Sequence, residues 1–327
     1  MRISLIGAGH IGKAVIGILN ENKNYFLSKF GEELEVISVS DSKNTVFNKN
    51  GLNLNDVLMY KSKNEMDELE TSIKFDEIFD LDSDVIVDMS PATKDGVTGK
   101  NSYIRAFEMG KNIVTANKAP LALHWKEIME SARKNKKIIL YEASVGGGVP
   151  LFNLNKNSLR SSKLIEFKGQ VSSTINYVLN QVIGGLEFED AIKTAQNMGI
   201  AETDYHDDTQ GLDGARKTVI IANSLLDKDL TLKDVEYDGI ENLENIELMK
   251  QSGKIYRVLS HVVNPDRIES RLFEIDLKDS LACLDPLSMG YLEKTDNNDD
   301  IMIFEKHDGP LETAAQVVND ILLLLHN

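Results

Sequence analysis

The first twelve residues limit the fold more than any other part of the chain. Arg2–Ile6 (RISLI) is a short apolar run of strand type, and it leads directly into Gly7-Ala8-Gly9-His10-Ile11-Gly12. The apolar residues that follow, Ile11, Val15, Ile16, Ile18 and Leu19, share one broad helical face. A strand, a G-x-G-x-x-G turn and a helix, in that order, open a dinucleotide-binding sheet. Gly7 permits the tight turn, Gly9 lets a pyrophosphate approach the backbone, and Gly12 lets helix and strand pack closely. The free N–H groups where the helix starts, around His10 and Ile11, then face the phosphates.

A second strand is expected over Leu34–Val39, ending near Asp41. A carboxylate there accepts the ribose hydroxyls of NAD, whereas the neighbouring Lys43 suits the 2′-phosphate of NADP, so Asp41 leans towards NAD without excluding NADP; the plainer alternative is an acidic turn residue after a strand. The gap from Gly12 exceeds the usual spacing of about twenty residues because Asn20–Glu33 inserts a polar stretch. Asn44–Lys74 is polar and weakly patterned, and outer helices and loops are expected there. Alternation then resumes. Strand Asp84–Met89 runs into Ser90-Pro91-Ala92, at a strand end where a nucleotide lies. A helix near 99–109, strand Asn112–Thr115, a helix near 125–134 and strand Lys137–Tyr141 follow. This pattern makes a doubly wound parallel α/β sheet, with ligands at the strand carboxyl ends.

Two more segments fall at such ends, Thr115–Lys118 and Glu142–Pro150. Lys118 there suits contact with both cofactor and substrate; read alone, it is more often a solvated loop lysine. The glycines at 146–148 serve either as a hinge or turn, or as a loop turning its carbonyls onto a hard cation. Beyond Pro150 the alternation changes. A strand is expected at Leu164–Gly169, and Val171–Tyr177 (VSSTINY) offers hydroxyls and a helix N-terminus suited to a carboxylate. A helix over Phe188–Met198 stops at Gly199. Strands at Lys254–Ser260, Arg267–Phe273 and Ile301–Glu305 suggest a second, mixed sheet, and Thr313–Leu325 an amphipathic closing helix.

Between these parts lies Gly199–Asn223, GIAETDYHDDTQGLDGARKTVIIAN. Glu202, Asp204, Asp207, Asp208 and Asp213 crowd into a short span before a helix. Asp213 and Lys217, four apart, point from one face of that helix. An acidic loop feeding an Asp–Lys pair suits a small cationic substrate and a lysine placed for proton transfer. Read blandly, it is a solvated loop and an ion pair contributing only about 0.2–0.5 kcal/mol.

The net charge of −16 argues against nonspecific binding to nucleic acid or anionic membrane. Cys283 is the only cysteine, so no internal disulfide forms, as in a reducing compartment. No apolar run approaches the length of a membrane span and no signal-peptide pattern follows Met1, so a cytoplasmic location is expected.

Taken together, GAGHIG, VTANKAP, EASVGGGVP, SSTINYVL and, most specifically, GIAETDYHDDTQGLDGARK resemble homoserine dehydrogenase, in the family's order from Arg2 to Lys217. The resemblance continues more weakly to the TAAQVVNDI helix. It implies a Rossmann domain over 1–141, to which a final helix at about 313–327 returns, and a mixed α/β catalytic and dimerisation domain over 142–312. It also implies NAD(P)-dependent interconversion of L-homoserine and L-aspartate 4-semialdehyde, and a homodimer. Lys217 matches the family's acid/base lysine, Lys118 a second lysine beside the reacting oxygen, and Asp213 the carboxylate that positions Lys217. Glu202 and Asp208 match carboxylates that hold the substrate ammonium or its water, while Ser173 and Thr174 fall in the substrate-carboxylate loop. Carbonyls of Glu142, Val145, Gly147 and Val149 match a sodium site, which favours the cation reading of that loop. The cofactor set is then Gly7, Gly9, His10, Ile11, Gly12, Asp41, Lys43, Ser90, Pro91, Lys118 and Gly309.

The chemistry agrees. Hydride delivery to an aldehyde carbon leaves an alkoxide that needs positive charge and a proton, and lysine supplies both. Three departures stand out. Ser173 replaces the family's glycine before the threonine, the glycine-rich turn before the last helix is reduced to His307-Asp308-Gly309-Pro310, and with the sequence stopping at Asn327 the ACT regulatory domain of longer members is not expected. The altered turn supports one alternative, an inactive dinucleotide sensor. A second alternative reads Glu202, His206, Asp207 and Asp208 as the divalent-metal site of a hydrolase.

Overall fold

The computed structural model describes residues 1–326 apart from Glu70, Glu202, Thr203, Asn242, Glu244, Asn245, Pro265 and Asp266, and only the backbone of His326. Its contacts divide into two units, one of Met1–Gly148 with Gly309–Asn327 and one of Val149–Asp308.

The first unit runs β1 (Arg2–Ile6), α1 (His10–Glu21), α2 (Lys23–Phe30), β2 (Glu35–Ser40), β3 (Thr45–Phe47), α3 (Leu54–Lys63), β4 (Thr71–Ile73), β5 (Val85–Asp88), α4 (Val97–Glu108), β6 (Asn112–Thr115), α5 (Lys118–Lys134) and β7 (Ile139–Leu140). Its seven-stranded sheet has the order β4-β3-β2-β1-β5-β6-β7, parallel from β2 to β7. Covered on both faces, such a sheet favours continuous β-branched runs, and Val85-Ile86-Val87 is buried throughout. Ile3 of β1 sits in register with Val36 on one side and Val85 on the other. Ile3, Leu5, Val39, Val87 and Val114 meet Val15 and Ile16 of α1 in one core. Each such side chain contributes roughly 1.5–3 kcal/mol through burial.

The C-terminal helix, Pro310–Leu323, packs on α1 and adds Ala314, Val317, Val318 and Ile321 to that core. Its Pro sits at the first helical position, where the missing N–H costs nothing.

The polar stretch 44–74 differs from its sequence reading. It holds β3 and β4, which extend the sheet antiparallel beyond β2. Strands of three residues are too short to show alternation, yet Val46 is fully buried and the Thr45 hydroxyl meets that of Ser40 at 2.9 Å. The insertion after α1 is itself helical, α2, anchored by Phe26.

The second unit runs α6 (Phe152–Asn157), β8 (Leu164–Gln170), α7 (Ser173–Ile183), α8 (Phe188–Asn197), α9 (His206–Thr209), α10 (Leu212–Leu226), β9 (Glu236–Tyr237), α11 (Ile246–Ser252), β10 (Ile255–Val263), β11 (Arg267–Ile275), β12 (Met289–Thr295) and β13 (Ile301–Glu305). Its six-stranded mixed sheet has the order β13-β12-β8-β10-β11-β9. Helix α10 lies directly on β10 and β11. The Thr218 hydroxyl meets that of Ser260 at 2.7 Å, and a Cβ on Gly214 would stand 2.5 Å from the Ser270 hydroxyl. Small residues on this face of α10 therefore let it sit close enough to the sheet to fix where its N-terminal side chains emerge.

Candidate active site

In the first unit, the glycine turn does what its spacing implies. Gly7 has φ +95°, and a Cβ there would lie 2.6 Å from the Met89 carbonyl. A Cβ on Gly12 would stand 2.0 Å from the Gly7 oxygen. Only glycine fits at either position. Gly9 is different: a Cβ there meets nothing within 4 Å, so the space over it is open for a pyrophosphate. Gly9 caps α1 with no side chain, and His10 beside it is exposed. The first-turn amides of α1, including that of Ile11, lack intrahelical acceptors, which suits them to phosphate oxygens. These features fit a bound dinucleotide.

The turn is flanked by the ends of β2 and β5. The Gly7 N–H donates to Ser40 O at 2.9 Å, and Gly7 packs on the Met89–Ser90 backbone. Ser90 is half-buried and Pro91 exposed. Asp41, half-buried, accepts the N–H groups of Lys43 and Asn44 at 2.8 Å each through Oδ1, and pairs through Oδ2 with Lys61. Burial alone would raise the Asp41 pKa. The hydrogen bond from Lys61, those from the two amides and the Lys61 charge outweigh it, so Asp41 titrates below the usual carboxylate range. Lys43 is exposed. Lys61, twenty residues along on α3, gave no local sequence signal, because helix α3 brings it to the end of β2.

Lys118 is the first residue of α5, and Asn117 caps that helix by accepting the Ala119 N–H at 3.2 Å. Helix α4 braces the same turn, since a Cβ on Gly99 would strike the Pro120 ring at 2.3 Å. Nearby in sequence, Glu142 and Val145 are buried, and Gly147 has φ +60°. The Glu142 N–H donates to Asp320 Oδ2 at 2.9 Å, and Gln316 Nε2 donates to the Gly148 carbonyl. The C-terminal helix thus holds this loop at two points. The same helix is capped at Gly309, whose carbonyl accepts from the Thr313 N–H and hydroxyl at 3.0 Å each.

In the second unit, Lys217 and Asp213 come together on α10 with Nζ to Oδ2 at 3.1 Å. Asp213 is 4 % exposed, far from the solvated ion pair of the bland reading. Lys217 Nζ also donates to the Val171 carbonyl at 2.6 Å, and the Ser172 hydroxyl donates to Asp213 Oδ2 at 3.2 Å. Val171 and Ser172 belong to the segment read as suited to a substrate carboxylate, but their contacts to Lys217 and Asp213 carried no sequence signal, because the turn from β8 into α7 lies far along the chain from Lys217. The hydroxyls expected to face a carboxylate are engaged: Ser173 Oγ donates to Asp308 Oδ2 at 3.1 Å and Thr174 Oγ1 to the Ile200 carbonyl at 3.1 Å. Val149, which opens this unit, is buried.

The acidic span resolves into different roles. Asp207 accepts from the buried Arg216 at 2.6 Å, and His206 Nδ1 lies 3.0 Å from Glu241. Asp208 is half-buried on α9, and Glu202 lies outside the described residues. Among the described residues, no group of three or more His, Cys, Asp or Glu side chains is placed to hold a metal, and Asp207 is given over to Arg216. The two lysines belong to different units, Lys118 to the first and Lys217 to the second.

Comparison with known proteins bears on both units. A family model described as homoserine dehydrogenase matches residues 150–322, and one described as homoserine dehydrogenase, NAD binding domain, matches 7–142. The chain is 34% identical over 332 residues to the homoserine dehydrogenase of Methanocaldococcus jannaschii, covering 98% of each. It is 33% identical over 275 residues to the NAD(+)-dependent homoserine dehydrogenase of Pseudomonas canavaninivorans, covering 79% of this chain and 76% of that one. The crystal structure of homoserine dehydrogenase from Thermoplasma acidophilum matches with a TM-score of 0.89 at 37% identity, over 100% of this chain and 99% of that one. No helix among the described residues is long and apolar enough to cross a membrane. With both units matched and nearly the whole length covered, the chain belongs to the homoserine dehydrogenase family.

Proposed function

We propose that this chain interconverts L-homoserine and L-aspartate 4-semialdehyde with NAD(P), using Lys217 as the acid/base. The observation that carries this assignment is the placement of Lys217 Nζ, 3.1 Å from Asp213 and 2.6 Å from the Val171 carbonyl. Asp213 and Val171 orient the ammonium so that it can give a proton to an alkoxide formed at the aldehyde carbon, and recover it in the reverse direction. Ser172 holds Asp213 in turn. When bound, NAD(P)H supplies the hydride. Gly7, Gly9 and Gly12 with the start of α1 hold its pyrophosphate, Asp41 and Lys43 face its adenosine ribose, and Ser90, Pro91 and Gly309 line the remainder. Lys118 places a second positive charge at the reacting oxygen, which stabilises the developing negative charge. Asp208 and Glu202 receive the substrate ammonium, and the amides opening α7, at Ser173 and Thr174, receive its carboxylate.

The carbonyls of Glu142, Val145, Gly147 and Val149 hold a monovalent cation, for which neutral oxygen donors on a buried loop are suited. The chain works as a homodimer in the cytoplasm. The homodimer rests on the family resemblance alone. Light scattering of the purified protein tests the dimer.

The matches to homoserine dehydrogenases in both units favour turnover over dinucleotide sensing. The deciding experiment follows NADH and NADPH oxidation with L-aspartate 4-semialdehyde, with and without added sodium. Turnover supports the assignment. Dinucleotide binding without turnover would reject it.

A further inference from the structure

We infer that Asp88 is the positioning residue that sets Lys118 in place. This inference rests on the assignment of Lys118 to the reacting oxygen. Asp88 ends β5 and is 3 % exposed. Three neutral donors converge on its carboxylate: the Ser90 N–H at 2.9 Å on Oδ1, and the Tyr103 hydroxyl at 2.6 Å and Asn117 Nδ2 at 3.4 Å on Oδ2. Asn117 Nδ2 also donates to Ser90 Oγ at 3.2 Å, and the Asn117 N–H donates to Thr115 Oγ1 at 2.9 Å. The Thr115 hydroxyl meets the Tyr103 hydroxyl at 2.7 Å, so the network closes on itself. Through its other side-chain atom, Asn117 accepts from Ala119 N, and the next residue after Asn117 is Lys118.

The network joins the ends of two sheet strands to the first turn of α5. A sheet end is rigid, whereas a helix N-terminus frays unless its cap is held. Asp88 supplies that hold from beneath. A buried carboxylate facing only neutral donors is costly to keep; burial pushes its pKa up while the hydrogen bonds from Ser90, Tyr103 and Asn117 oppose that. Its cost is offset where the three donors need one common acceptor. An amide at this position cannot accept from all three, because one of its two polar atoms is itself a donor.

The experiment is a double-mutant cycle on the full chain with Asp88→Asn, Lys118→Ala and both together. For each protein kcat, KM for the semialdehyde, NADPH Kd and Tm are measured. The expected result is a kcat loss of about tenfold or more for Asp88→Asn, as misplaced catalytic groups give. NADPH Kd should stay within about threefold, and the double variant should be no slower than Lys118→Ala. Asn117→Ala cuts the same link from the helix side and should reproduce both the loss and its absence in the Lys118→Ala background. It serves as the test if Asp88→Asn does not fold. Losses that multiply with Lys118→Ala, or a kcat near wild type, would overturn the inference. If Lys118→Ala alone keeps wild-type kcat, the Lys118 assignment has failed and this inference falls with it.

Discussion

Lys217 and Asp213 stand one helical turn apart on α10, 3.1 Å between Nζ and Oδ2, and both are largely shielded from water. Two oxygens fix the ammonium: that carboxylate and the Val171 carbonyl. Orientation of this kind is lost with the side chain. Lys217→Ala should lower kcat by about 10²–10⁴-fold, the usual contribution of a general acid/base, while NADPH Kd is unchanged. Steady-state rates and a fluorescence titration of NADPH check both parts, and near wild-type turnover would remove the proton-transfer role.

Gly9 and Gly12 separate binding from folding. Gly9→Ala adds a methyl into open space at φ −77°, so Tm should hold while NADPH affinity falls at least tenfold, or about 1.4 kcal/mol. Gly12→Ala drives a methyl into the Gly7 carbonyl and should destabilise the fold by about 1–3 kcal/mol. Thermal unfolding alongside the titration distinguishes the two. Equal loss of Tm in both variants would reject the assignment of Gly9 to the pyrophosphate.

On the proposed assignment, the Asp41 charge lies at the ribose end and repels a 2′-phosphate, tempered by its pairing with Lys61. Asp41→Asn should raise the NADPH-to-NADH ratio of kcat/KM by roughly tenfold, since one charge is removed and both lysines stay. Measuring the two cofactors side by side tests it, and an unchanged ratio would take Asp41 out of cofactor selection.

Glu293 on β12 gives a stability prediction with a definite sign. Burial pushes it up from 4.5 to about 7, against a single hydrogen bond from Asn155 Nδ2 at 2.7 Å. The folded chain therefore holds a proton there that the unfolded chain has released, and stability falls as pH rises between those two values. The full loss is on the order of 3 kcal/mol. Glu293→Gln keeps an acceptor for Asn155 and removes the titration. Its Tm should match wild type near pH 5 and exceed it near pH 8; parallel Tm curves would show that Glu293 does not titrate in this range.

The parts of the site that were legible in the sequence are those whose chemistry is local. The glycine turn, the i,i+4 pair Asp213–Lys217 and the strands flanking them are written in adjacent residues, and periodicity suffices to read them. Ser172, Lys61 and Asp88 act through partners 41, 20 and up to 29 residues away, so no window on the chain contains both ends. The strands β3 and β4 escaped for a different reason. Pairing with β2, rather than their own pattern, makes them strands. Asp207 shows why an acidic run does not by itself define one site, since Arg216 claims that member of it.

The first unit is assembled from both ends of the sequence, with the helix Pro310–Leu323 completing the core around α1 and pinning the Glu142–Gly148 loop. During synthesis the nucleotide-binding sheet therefore waits, its α1 face bare, while the whole second unit is made. The core around α1 closes only after residues 310–323 have been made. Nascent chains arrested before that helix should be the ones that chaperones hold and proteases cut.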